Sequence, residues 1–199
     1  MRNRHPDPLA QQVTSLSAEA TAPAASAVKR PWLFLDVDGV TAPVDLDDLD
    51  YTCPPGYRTW PHAMWSVYVH VDLDKWGREL DAWFEVVWTT DWQQNAPTGI
   101  GKPAGLPDWP YLPLDHNDRK RLRNKLGHKV AAITGVLRAD PRPFAWIDDD
   151  LFGLGPKRIR EIDLPKLLIK PERRVGITSA HVDQLLAFAA GLAHGPTRP

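Results

Sequence analysis

Asp36 and Asp38 stand one residue apart at the end of the apolar run Trp32-Leu33-Phe34-Leu35, and Gly39 follows them. In an extended backbone alternate side chains point the same way, so the two carboxylates converge on one point. A glycine next in line permits a sharp exit from the strand. Two carboxylates held together repel each other unless a cation or a shared proton relieves the charge. At the end of a buried strand that arrangement suggests a magnesium site beside a carboxylate nucleophile. An Asp-rich turn after an ordinary core strand would show the same residues, so other stretches must decide between the two.

Three do. Ala145-Trp146-Ile147-Asp148-Asp149 is a second apolar run ending in paired acids, and Phe84 to Thr90 is a third, ending in hydroxyls. Lys129 lies between them in sequence. Taken in chain order, the stretches resemble the four motifs of the haloacid dehalogenase-like (HAD) superfamily: Asp-x-Asp-Gly, a strand-end Thr, a Lys and a strand-end Asp-Asp. The resemblance runs from about Trp32 to Leu192. The frames Trp88-x-Thr90-x-Trp92 and Trp146-Ile147-Asp148-Asp149 also look like a group of compact, nearly capless bacterial HAD proteins.

The resemblance implies a chemistry. Asp36 would attack phosphorus and become an aspartyl phosphate; Asp38 would protonate the leaving oxygen and then deprotonate the hydrolytic water. Thr90 would donate to a phosphoryl oxygen, and Lys129 would neutralise charge on nucleophile and phosphate. Mg2+ would bind the Asp36 carboxylate, the Asp38 backbone carbonyl and Asp148, with Asp149 as a water-mediated ligand or a support. The Trp-x-Thr-x-Trp frame selects Thr90, with Thr89 as the alternative, and Asp150 leaves the register of the last motif open by one residue.

The positioning elements follow from hydrophobic period. Strands are expected at Trp32–Leu35, Ser66–Val71, Val86–Trp88, Phe144–Ile147 and Leu167–Ile169, with Tyr57–Trp60 completing a hairpin. Helices are expected from Asp72 or Asp74 to Trp83, from Asp118 to Leu137, and from Thr178 to Leu192, and a Pro/Gly-rich linker over Pro97–Pro113. Leu122, Leu126, Val130, Ile133 and Leu137 make one apolar helical stripe with Lys129 inside it, which demands acidic partners; Lys125 is the weaker alternative. Strands alternating with helices predict an α/β fold: a three-layer Rossmann-like parallel sheet with helices on both faces. The gaps between motifs (roughly 50 residues for the first) hold a small β-hairpin flap but no large cap domain. An open site of that kind suits large phosphorylated substrates, including polymer ends.

Composition sets outer bounds. A chain of 199 residues, 43% hydrophobic, can bury one core, expected over residues 31–193, with tails at 1–30 (disordered) and 194–199. The lone Cys53 allows no intrachain disulfide, which suits the cytoplasm. No apolar run joins Arg2 and Arg4 to Ala22–Ala25, which argues against a secretory leader, and no stretch is apolar enough to suggest a membrane partner. Residues 1–99 hold 7 Lys/Arg against 14 Asp/Glu, giving −7; residues 100–199 hold 17 against 11, giving +6. That split would draw an anion toward a metal-bearing site. A phosphorylated small molecule or a nucleic-acid end is the expected partner, with Tyr57, Trp60, Trp65 and Tyr68 as stacking surfaces and Arg119–Lys125 facing phosphates. The competing readings are another HAD phosphotransfer reaction and a non-catalytic interaction protein that keeps the fold.

Overall fold

A computed structural model of the chain describes residues 29–45, 55–62, 65–115, 126–151 and 154–194. The expected tails, Cys53, Lys125 and the Arg119–Lys125 run lie outside the described residues, apart from a few residues at the inner ends of the tails.

The strands are β1 (Trp32–Leu35), β2 (Tyr57–His62), β3 (Trp65–His70), β4 (Glu85–Trp88), β5 (Phe144–Ile147) and β6 (Lys166–Ile169). The helices are α1 (Leu73–Trp83), α2 (Lys102–Ala104), α3 (Gly127–Ala139), α4 (Leu154–Arg160) and α5 (Ser179–His194). Four strands form a parallel sheet in the order β4-β1-β5-β6, and β2 pairs with β3 in a separate antiparallel hairpin. A single parallel bridge, Trp88 to Tyr111, continues the sheet beyond β4. This is an α/β architecture consistent with a Rossmann-like fold.

Strand alternation divides the core. Leu33, Leu35, Val86, Trp88, Ala145 and Ile147 pack with Leu73, Trp76 and Leu80 of α1 and Val182, Leu185 and Ala189 of α5. Phe34, Val87, Phe144 and Trp146 face the other way, onto Val130, Ile133 and Leu137 of α3 and Ile159 of α4. Helices therefore cover both faces, as a parallel sheet requires. The hairpin joins the first face through Val67 and Val69. Its base is tied down by the Tyr57 hydroxyl, which donates to the Val175 carbonyl, and by His70, stacked on Trp76 at 4.3 Å.

Two segments depart from the expected pattern. The Pro/Gly-rich linker contains a π-helical turn, Pro97–Gly101, running straight into α2, and α2 ends at Gly105 with φ 77°. Helix α4 also forms where no helix was expected, shortly after Asp148, Asp149 and Asp150. Both carry proline near their starts, a position that tolerates the missing N–H.

Candidate active site

The chain runs from β1 to β4 on one side of β1, then crosses to β5 on the other. Strand order therefore reverses at β1, and ligands of open parallel sheets bind beyond the carboxyl ends of strands at such a point. Asp36 follows β1 and Asp148 follows β5, so the two acids flank it. Alternation keeps both in line with Phe34 and Trp146, on the α3 side.

Helix α3 brings Lys129 to meet them. Its Nζ donates to Asp36 Oδ2 at 2.6 Å and to Asp148 Oδ2 at 2.8 Å, with all three side chains buried. The second oxygen of each acid is held by backbone: Val37 N–H donates to Asp36 Oδ1 at 2.7 Å, and Asp150 N–H to Asp148 Oδ1 at 2.9 Å. Burial works against charge on Lys129, but the Asp36 and Asp148 carboxylates outweigh it and hold the ammonium well above its ordinary range. Burial first, and then Asp36, push the Asp148 carboxyl up, against the pull of Lys129.

Asp149 completes the group: carboxylate oxygens of Asp36, Asp148 and Asp149 lie within 4.8 Å of one another. Opposite corners of a magnesium octahedron are about 4.2 Å apart, so a small side-chain adjustment would let hard oxygen donors share one ion. Asp149 is anchored from behind by Arg173, whose Nε lies 2.5 Å from its Oδ2 while the second nitrogen reaches Asp150 Oδ1 at 2.9 Å. Burial raises the Asp149 carboxyl and Arg173 opposes that rise.

Gly39 is demanded twice over. It turns at φ 69°, and a Cβ there would meet the Asp149 Cγ at 2.6 Å. Any side chain would be strained in the turn and would also push a candidate metal ligand away.

Asp38 does not join the acidic triad. Its side chain opens to solvent at the mouth of the site, and Trp92 Nε1 donates to its Oδ2 at 2.9 Å. It sits in a recess, however, where surrounding protein displaces bulk water. That desolvation raises its carboxyl to about 6, with the Trp92 hydrogen bond acting in the opposite direction and the Asp36 charge adding to the rise. A carboxyl so tuned exchanges a proton near neutral pH.

The threonines are both buried. The Thr89 hydroxyl turns back to donate to Val87 O at 3.3 Å, whereas Thr90 Oγ1 accepts the Trp92 backbone N–H at 3.4 Å. Among the described residues neither hydroxyl bonds a site carboxylate. Of the aromatics expected to stack a base, Tyr57 is engaged in docking the hairpin and Tyr68 is half-buried; the Trp60 and Trp65 side chains lie outside the described residues.

Sequence reasoning missed three contributors. Arg173 was only one of many basic residues, and nothing in its spacing from Asp149 signals the contact. The pair of His128 Nε2 and Asp91 Oδ1, 2.7 Å apart, links the residue before Lys129 to the one after Thr90. Trp92 was visible in its frame, but not its reach to Asp38.

No match to this chain was found among protein-family models, curated proteins or solved structures.

Proposed function

We propose that the chain is a magnesium-dependent phosphohydrolase of the HAD-like superfamily, working through an aspartyl phosphate on Asp36. The observation that carries this reading is the Lys129 ammonium bonded to both Asp36 and Asp148 within a buried acidic triad at the carboxyl edge of a parallel sheet. An ordinary structural ion pair would need one acid; here Lys129 and Arg173 face three buried acids, an excess of negative charge that a divalent cation would relieve.

Asp36, Asp148 and Asp149, with the Asp38 backbone carbonyl, would hold Mg2+. The ion supplies charge neutralisation for the phosphoryl oxygens. Lys129 holds the Asp36 carboxylate in place, and screens it from the approaching phosphate. Asp36 attacks phosphorus; Asp38 gives its proton to the departing oxygen and takes one from the water that later cleaves the acyl phosphate. Thr90, its oxygen already accepting from Trp92, has its hydroxyl proton directed to a phosphoryl oxygen. Among the described residues the insertion beside the site is a small hairpin and no large cap domain is present; such an open site would favour a nucleotide or the phosphorylated end of a nucleic acid over a small enclosed metabolite.

The test is hydrolysis of para-nitrophenyl phosphate, followed by a panel of phosphorylated metabolites and 5′- and 3′-phosphorylated oligonucleotides. Turnover should require Mg2+ and fall by about 10³-fold or more in Asp36→Asn. Metal-independent turnover, or an active Asp36→Asn variant, would exclude the mechanism.

A further inference from the structure

Trp92 reaches two proposed functional groups with its two N–H donors. The backbone N–H goes to Thr90 Oγ1 at 3.4 Å and the indole N–H to Asp38 Oδ2 at 2.9 Å. We infer that Trp92 is the positioning residue that orients the Asp38 carboxyl for proton transfer to the leaving group. This role rests on the phosphohydrolase reading.

The chemistry of the indole decides what such a bond does. Its N–H donates and never accepts, so Asp38 Oδ2 is fixed as an acceptor whichever protonation state the carboxyl adopts. A proton on Asp38 is then favoured on Oδ1, the oxygen not bonded to Trp92, because a carbonyl oxygen accepts more strongly than a hydroxyl oxygen. Without the indole the carboxyl would rotate freely and present its proton in either direction. The backbone beneath it is already rigid: Asp38 bridges Ala42, Gly39 N–H donates to Ala42 O at 2.8 Å, and Val40 N–H to Val37 O at 3.1 Å. Side-chain rotation is the freedom that remains, and Trp92 removes it.

Trp92 is itself held firmly. It packs half-buried against the first core face, in a turn closed by Gln93 N–H to Thr90 O at 3.1 Å, with Gln93 at φ 45°. A left-handed non-glycine residue is disfavoured, and it persists where surroundings fix the turn. The loops after β1 and β4 are thus joined across the site by one side chain.

The test separates proton donation from general damage. Trp92→Phe keeps an aromatic ring and the backbone N–H and loses the indole donor together with the second ring; the spread across leaving groups separates the donor's loss from that of packing. With Mg2+ saturating, turnover is measured across aryl phosphates whose leaving groups range from p-nitrophenol to the far more basic phenol. Good leaving groups depart without a proton, so kcat/KM, which excludes hydrolysis of the shared aspartyl phosphate, should change less than about twofold on para-nitrophenyl phosphate and fall about tenfold or more on phenyl phosphate. A uniform loss across the series overturns the role alone, whereas absent turnover in the wild type overturns the phosphohydrolase reading and this role with it. A second measurement leaves Trp92 intact. Among the nine tryptophans, one ¹⁵N indole resonance should move upfield in Asp38→Ala, and be the one missing in Trp92→Phe. If no indole resonance responds to Asp38→Ala, the contact is refuted.

Discussion

The two ends of the central sheet both carry buried charge, and they handle it differently. At the amino end, Arg142 stacks its guanidinium 3.8 Å over the Trp32 ring and donates to Glu85, Asp140 and the Arg30 carbonyl, each at 2.8 Å. Lys29 adds a second cation against Asp140, so Lys29 and Arg142 balance Glu85 and Asp140. At the carboxyl end, Lys129 and Arg173 face Asp36, Asp38, Asp148, Asp149 and Asp150. The first network is closed and neutral, a clamp on the sheet. The second sets two cations against five acids in a place where charge is costly, an imbalance that a further cation or bound protons would relieve.

Metal addition probes that contrast most strongly. Mg2+ at about a hundredfold over its dissociation constant should stabilise the fold by about 3 kcal/mol, seen as a rise in melting temperature that EDTA reverses. Asp148→Asn should abolish the rise, and Arg142→Met should leave it intact. An equal rise in the Asp148→Asn protein would place the ion elsewhere.

Disrupting the opposite end should do the reverse. Arg142→Met removes a nearly buried cation, its ring contact and three hydrogen bonds, with an expected loss of about 2 kcal/mol in chemical denaturation. Turnover of para-nitrophenyl phosphate at saturating Mg2+ and a temperature well below melting should remain within twofold or so of wild type. A large kcat defect would show the two ends to be coupled and the contrast between them to be wrong.

The site was legible in the chain to the extent that strand ends supply it. Asp36 and Asp148 follow short, uninterrupted apolar runs that end abruptly in acids, and Lys129 stood out as a charge inside an apolar helical stripe. Helix α4 and the turn into α2 were hidden because glycine and proline near their starts read locally as loop. Arg173 was hidden for a different reason: its contact with Asp149 is set by how the segment after β6 returns across the sheet edge. Period and propensity carry no information about that return. The same limit applies to Trp92, whose indole meets an acid 54 positions earlier in the chain.

The smallest effect, and the one most specific to the contrast, is in the pH dependence of stability without metal. Burial lifts Asp38 from its ordinary 3.8 to about 6, and lifts Asp148 and Asp149 in the same direction. Such groups bind protons more readily folded than unfolded, so their contribution is full below pH 3.8 or so and disappears as pH rises, through about 6 for Asp38 and about 7 for Asp148. Asp140 has the opposite sign: the Lys29 hydrogen bond, with Arg142 adding to it, holds its carboxyl below 3.8. Its contribution is present above that value and is lost as pH falls below it. In EDTA, the wild type should therefore lose melting temperature between about pH 4 and 7 relative to Asp148→Asn, and lose it below about pH 4 relative to Arg142→Met. Saturating Mg2+ should flatten only the first difference, because the ionised acids are the form that binds it. If both differences respond to Mg2+, or neither variant alters the profile, the two ends of the sheet do not differ in the way their geometry implies.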